Sequence, residues 1–221
     1  MRQRLSKAAV VQAGLDVLDE AGIDGVTVRA VASRLGVQAP ALYWHVRDKQ
    51  DLLDEMATEI WRRVSAEIAA LPNGQPWDQA MAAFAAITRR ALLSHRDGAK
   101  VFSGTYLTDA SVLEAQEDRL AQTVQQGFTL ADVIRAYSLL YSFIVGFCIE
   151  EQAIAQAAAT GDDRYSLARR AERLNSRTHP LVLEAGPEIF GDPGTRFTDL
   201  VAVIIDATSR MRASPAPTPH G

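Results

Sequence analysis

The chain has one cysteine, Cys148, in 221 residues. A lone thiol cannot close an intrachain disulfide, and cysteine this sparse fits a reducing compartment. It reads as a small buried hydrophobe. The four histidines, His45, His95, His179 and His220, lie far apart in sequence. They form no clustered metal-ligand spacing and no nucleophile motif accompanies them, so the residues argue against an enzyme, and no metal or cofactor is expected. His95 with Asp97 is a possible acid–base pair, but reads better as a solvated turn between helices. Positive charge is not in excess either: 23 Lys and Arg against 27 Asp and Glu leave a formal net charge of −4. A protein that grips nucleic acid over its whole surface is basic, so any DNA contact here must be local. No run reaches the roughly 18 apolar residues of a membrane span. The longest candidate, residues 137–149, is too short and continues into Glu150 and Glu151. Residues 1–20 lack the apolar run and small-residue cleavage site of a signal peptide. A cytoplasmic protein without a membrane partner is therefore expected. There is no internal repeat, and strand-like alternation never lasts beyond a few residues.

What the chain does have is helix-forming sequence almost throughout. Ser6 caps a first helix that Gly22 ends, and Thr27 caps a second over about 28–35. Gly36 stands where the chain must turn sharply with positive φ. A third helix is expected over 39–45, with Pro40 in its first turn where no amide hydrogen is needed. Asp48 caps a long helix over about 48–71. Pro72-Asn73-Gly74-Gln75-Pro76 is a loop. Helix resumes from Trp77 to about Ser94, a short segment covers 99–103, and further helices follow Thr108-Asp109 and Thr129. Residues 165–190 are ambiguous, one or two short helices interrupted near Pro180 and Pro187. The last helix, about 197–212, is apolar on more than one face and so expected to be buried all round. The expected division is a DNA-binding domain at 1–49, a ligand-binding and dimerisation domain at 50–213, and a disordered proline-rich tail at 214–221.

The first forty-nine residues hold seven basic side chains against five acidic ones, while the rest is acidic. That asymmetry suits a DNA-binding head on an acidic body. The helix, glycine turn and helix over 26–45 have the layout that sets one helix into the DNA major groove. Leu18, Val31, Leu35, Leu42 and Trp44 are expected to hold the small helices together, with a DNA contact the lesser reading for Trp44. Tyr43 and His45 flank that tryptophan and are expected at phosphates. Lys49 joins them, because a lysine in a helix's first turn is not favoured by the macrodipole. The base-reading end of the third helix offers Gln38, Ala39, Pro40 and Ala41, a set poor in donors; Thr27 and Val28, at the start of the second helix, are also expected among the DNA-binding residues. Arg29 is the best candidate for a bidentate contact to guanine, with Ala39, Pro40 and Ala41 on thymine methyls.

The stretch TVRAVASRLGVQAPALYWHVRDKQDLL (residues 27–53) resembles the DNA-binding head of the TetR family of one-component repressors. RRALLSHRDGAKVFSGT (89–105), QQGFTLADVIRAYSLL (125–140) and GFCIEEQ (146–152) are similar to the body of that family's tetracycline-responsive branch, and the likeness fades after about residue 155. The resemblance implies an all-α, Ω-shaped homodimer acting at a double-stranded DNA operator. Helices near 129–159 and 197–212 would form a four-helix bundle with their mates; both are too apolar for a monomer surface. The family's drug and magnesium site is largely replaced. Phe102 stands for its metal-binding histidine, Phe84 for an asparagine, Ser65 for a second histidine and Thr88 for a phenylalanine. Tyr106 and Leu107 stand for an arginine and a proline. Thr105 and Glu150 are retained, the latter reaching the mate's pocket in the family. The implied pocket is aromatic, with Thr88, Thr105, Tyr106, Arg119, Tyr137, Tyr141 and Glu150 as its polar handles, and suits a largely hydrophobic or aromatic small-molecule effector. Phe84, Phe102 and Tyr137 either wall that cavity or simply fill the core. The expected function is a ligand-released repressor. The alternative is a DNA-binding dimer without a small ligand, gated by a partner protein or acting architecturally.

Overall fold

A computed structural model describes residues 5–211, the side chains of residues 113 and 115 excepted; the tail expected at 214–221 lies outside the described residues. Eleven α-helices and one 3-10 helix account for the regular structure described. α1 (Lys7–Gly25) starts where the Ser6 hydroxyl accepts from the Ala9 amide, at 3.2 Å. Gly22, with φ 70°, kinks it near its end, where the sequence expected it to stop. α2 (Val28–Arg34) is capped by Thr27, which accepts from Ala30 N at 3.0 Å. Gly36 turns the chain at φ 65°. Residues Ala39–Trp44 then form a 3-10 helix rather than the α-helix expected. With three residues per turn only every third side chain faces inward. Ala39 and Leu42 pack on the core, while Trp44 is 90% exposed. The expectation that Trp44 is a core residue is therefore wrong. Leu18, Val31 and Leu42 are fully buried as expected, and Leu35 packs partly buried beside them.

α3 (Lys49–Ala69), capped by Asp48, runs from this head into the body. Its first half packs Leu52 and Met56 against α1. Its second half turns Ile60, Trp61 and Val64 into the body, against α4 (Trp77–Leu93) and the five-residue α5 (Gly98–Phe102). α6 (Ala110–Gln125) covers α3 and α7 (Leu130–Ala159), and α7 is the central post of the body. By length and composition α7 passes as a membrane span, with a mean hydropathy of 1.5 over its best eighteen residues, in contrast to the expectation that no run is long enough. Its apolarity serves the core: Val133, Ala136, Leu140, Ile144 and Cys148 are buried against the rest of the body. Arg89 on α4 pairs with Glu151 on α7 at 2.5 Å and lies over the Phe197 ring of α11 (Pro193–Ser209), tying three helices together.

Between α7 and α11 the ambiguous stretch folds as α8 (Leu167–Glu172), α9 (Pro180–Glu184) and α10 (Gly186–Phe190). Pro180 and Pro187 begin helices rather than interrupt them, as does Pro193 in α11. In a first turn the missing amide hydrogen costs nothing and the fixed φ is already helical. α11 is not buried all round: Phe197 and Val201 face the chain's own core, but Val203 is 65% exposed and Leu200 is also outside.

Candidate functional site

Two regions collect the residues singled out from sequence. In the head, the exposed side is built by α2 and the 3-10 helix. Arg29, Gln38 and Pro40 are exposed there, Tyr43 and Trp44 project beside them, and Ala39, Ala41 and His45 are half-buried. Val28 does not join this surface; it is buried against the head's core. Thr27 stays exposed while its hydroxyl caps α2. Among the described residues three of the five head cations are already paired: Arg34 with Asp16 and Glu20, Arg47 with Asp51, Lys7 with Glu55. Among the described residues Arg29 has no such partner. The Lys49 ammonium donates to the Ile23 carbonyl at 3.1 Å, which leaves two of its three donors available. So lysine is at this first turn partly to hold the kinked end of α1.

In the body, a cavity of about 550 Å3 opens between α3, α4, α5, α6 and α7. Its wall is a run of touching rings. Tyr141 lies 5.8 Å from Phe102, which stacks at 5.5 Å on Trp61. Trp61 meets Phe84 edge-on at 6.1 Å, and Phe84 meets Tyr137 edge-on at 5.3 Å. These offset and edge-on arrangements match the ring quadrupoles and hold the wall rigid. Of the expected ligand residues, Phe84, Phe102, Thr105, Leu107, Arg119, Tyr137 and Tyr141 line it. Burial pushes the Tyr137 and Tyr141 phenols up, so both remain hydrogen-bond donors at neutral pH. The Trp61 indole N–H, in the same wall, is buried without a partner among the described residues.

Four expected residues lie elsewhere. Ser65 and Thr88 sit one helical turn beyond Trp61 and Phe84, buried and behind the wall, with hydroxyls lacking a partner among the described residues. Tyr106 is 75% exposed, because its loop turns its ring outward. Glu150 is exposed on α7, two turns beyond Tyr141, beside a separate hollow lined by Phe147, Tyr165 and Arg196. The sequence reading missed Trp61, Gln116, Leu120, Ile134, Ser138 and Ser142. Helical spacing held the signal for several of them: Ile134, Ser138 and Ser142 share one face of α7 with Tyr137 and Tyr141.

The cavity is wired to the head along two routes. Its mouth loop is bonded to α3 through Tyr106 N to Asp54 (3.2 Å), Thr108 N to the Thr58 hydroxyl (2.9 Å) and Arg62 to Asp109 (2.8 Å). The Arg62 guanidinium, with help from Ser111, pulls the Asp109 carboxyl down to about 2. The second route is the turn between α4 and α5, which is not solvated as expected. His95 and Asp97 are both buried there. The His95 imidazole lies between Asp19 (2.9 Å from Nδ1) and Arg63 (3.4 Å from Nε2), an arrangement met by the tautomer with its hydrogen on Nδ1. Arg96 N donates to Asp19 and Ile23 N donates to Asp97, both bonds joining this turn to the end of α1. Gln152 of α7 holds the same turn from behind, donating to His95 O at 2.7 Å and accepting from Ala99 N. Cys148, nearby on α7, is buried and its thiol is pushed up to about 12, so it stays protonated.

Comparison with known proteins agrees with this geometry from end to end. Residues 10–56 match the family model described as bacterial regulatory proteins, tetR family, and residues 70–210 match that of the tetracyclin repressor-like C-terminal domain. The class C tetracycline repressor protein of Escherichia coli is 32% identical over 212 residues, 95% of this chain and 93% of that one. A crystal structure described as a possible TetR family transcriptional regulator from Streptomyces coelicolor A3(2) superposes with a TM-score of 0.81 at 32% identity, covering 94% of this chain and all of that one. A TetR variant from Acinetobacter baumannii AYE, solved in complex with minocycline, gives a TM-score of 0.74 at 27% identity over 96% of this chain and all of its own. With both parts matched in order and relatives aligned across nearly the whole length, the chain belongs to the TetR family of transcriptional regulators.

Proposed function

We propose that this regulator is a repressor: a homodimer that binds a pseudo-palindromic operator in the cytoplasm and leaves it when a largely apolar, aromatic small molecule enters the body. The observation that carries the reading is the ring-walled cavity in contact with α3, the helix that bears the head. Its volume falls in the range of small-molecule sites, about 300–1,000 Å3. That a similar protein was solved in complex with minocycline supports a small-molecule ligand. Two heads are needed because one short 3-10 helix touches too few base pairs. A twofold sets two of them about 34–36 Å apart, one DNA turn. On each head, Arg29 and the alanines and proline at 39–41 supply base contacts, and Tyr43, Trp44, His45 and Lys49 supply phosphate contacts.

Release follows from population shift. A ligand changes occupancy only if it binds the DNA-incompetent arrangement better than the competent one. A differential affinity of a few kcal/mol suffices. α5 is the natural relay, because Phe102 at its end forms part of the wall while the same helix packs on α1, α3, α4 and α7. Displacing it tilts α3 and pulls on the 95–97 turn, which changes the separation of the heads. The test is operator binding by fluorescence anisotropy with and without inducer. Phe102→Ala is expected to shift the inducer concentration for half-release by about tenfold or more and to leave ligand-free operator affinity unchanged. Equal loss of both would make Phe102 a packing residue and remove the relay.

A further inference from the structure

The cavity holds one unanswered charge. Among the described residues Arg119 is the single charged one lining it. It is half-buried on α6. The other half-buried arginines among the described residues are all engaged: Arg89 with a carboxylate, Arg170 with the Val182 carbonyl and the Phe190 ring, Arg196 with the Phe147 ring. The Arg119 guanidinium has no ion pair, hydrogen bond or ring partner among the described residues; the residue's carbonyl accepts from the Thr123 hydroxyl. Its sequence neighbours Glu117 and Asp118 are exposed and line no part of this cavity; Asp118 and Arg119 together line a neighbouring hollow of about 410 Å3. Desolvation lowers its pKa, and the one ionisable group that offsets this is the Tyr137 phenol. A guanidinium stays charged in proteins whatever its surroundings. Leaving one half-desolvated without an acceptor is costly unless something brings the acceptor.

The remaining lining narrows what that something is. Rings from Trp61, Phe84 and Phe102 offer flat apolar faces, and Ser138, Ser142 and Gln116 are neutral polar groups. No carboxylate lines the cavity among the described residues, so a cationic ligand would find no ion-pair partner there and would face the Arg119 charge. We infer that the effector is a fused-ring aromatic carboxylic acid, its rings against the Trp61–Phe102 wall and its carboxylate bound by the Arg119 guanidinium. The planar fork of arginine suits such a group, since two parallel N–H donors meet its two oxygens. This inference deepens the ligand-released reading above and rests on it.

The test pairs acids with neutral isosteres. Naphthalene-2-carboxylic acid, anthracene-2-carboxylic acid and an anthraquinone-2-carboxylic acid are compared with their methyl esters, for thermal shift and for release of bound operator. Each acid is expected to bind about 10–100-fold tighter than its ester. Arg119→Gln is expected to abolish that preference without altering operator affinity in the absence of ligand, and Arg119→Lys to keep part of it. Because Arg119 is a half-buried surface-helix residue, both variants should fold; their unliganded melting curves check this. Esters binding as well as acids, or an acid preference that survives Arg119→Gln, would overturn the inference and leave the ligand reading standing. Binding by neither series in the wild-type protein would count against the ligand reading itself, and the inference would fall with it.

Discussion

At the scale of single residues, Arg29 and Arg119 are the two informative cations because neither guanidinium has a partner among the described residues. Arg29 is exposed on α2 beside the 3-10 helix. Arg29→Ala should lose discrimination at one base pair per half-site by about 1–3 kcal/mol. Selection of binding sites from a random pool reads this out, and recovery of the unaltered motif would mean another residue reads that base. The residues legible in advance were those whose chemistry is local. Thr27, Asp48 and Ser6 cap the helices they were expected to cap, because a hydroxyl or carboxylate before a helix acts over three residues. Trp44 was misjudged because its orientation depends on whether the helix winds with three or 3.6 residues per turn. Sequence pattern over six residues does not decide that. Ser65 and Thr88 were misplaced for a related reason: they share a helix face with Trp61 and Phe84, and only depth separates wall from core.

At the scale of elements, the turn between α4 and α5 is the part of the molecule least visible in sequence. It looks like a polar break, yet its side chains are buried and bonded to residues more than seventy positions earlier. Pairings at that separation leave no periodic trace. Asp97 is its keystone and adopts a left-handed φ of 55°, which aspartate tolerates better than most residues. Gly22 meets it face to face, and a Cβ there would come 2.8 Å from the Asp97 carboxylate. Burial alone would raise the Asp97 carboxyl, but Lys100, Ile23 N and Gln156 together hold it below the ordinary carboxylate range. A carboxyl lowered in the folded state adds stability above its unfolded value of about 3.9, and that stability is lost as pH falls through the folded value. Asp97→Asn should therefore cost about 1–3 kcal/mol at neutral pH and less once the wild-type carboxyl is protonated. Urea unfolding at pH 7 and at pH 3 measures both; an equal loss at the two would mean charge plays no part.

At the scale of the whole molecule, one chain leaves its apolar surface unfinished. Leu139 on α7 and Leu200 and Val203 on α11 face outward, and the last two lie one turn apart on the same stripe. The helical composition made these helices legible, but not which face would lack a cover, because that is fixed by what the other helices reach. If a second copy covers them, Val203→Glu should give a monomer by light scattering and weaken operator binding more than 100-fold, since a twofold buries the new carboxylate twice. A dimer that persists at micromolar concentration would assign the contact to another face. The bonds from Asp19 and Ile23 to the 95–97 turn have a consequence for protein engineering. A boundary drawn at residue 49 looks like a clean joint between two exchangeable parts. It is not, because the reading part carries half of the fastening. A hybrid joining this head to a relative's body is expected to lose the coupling between the two parts unless residues 19–23 are matched to the turn they grip.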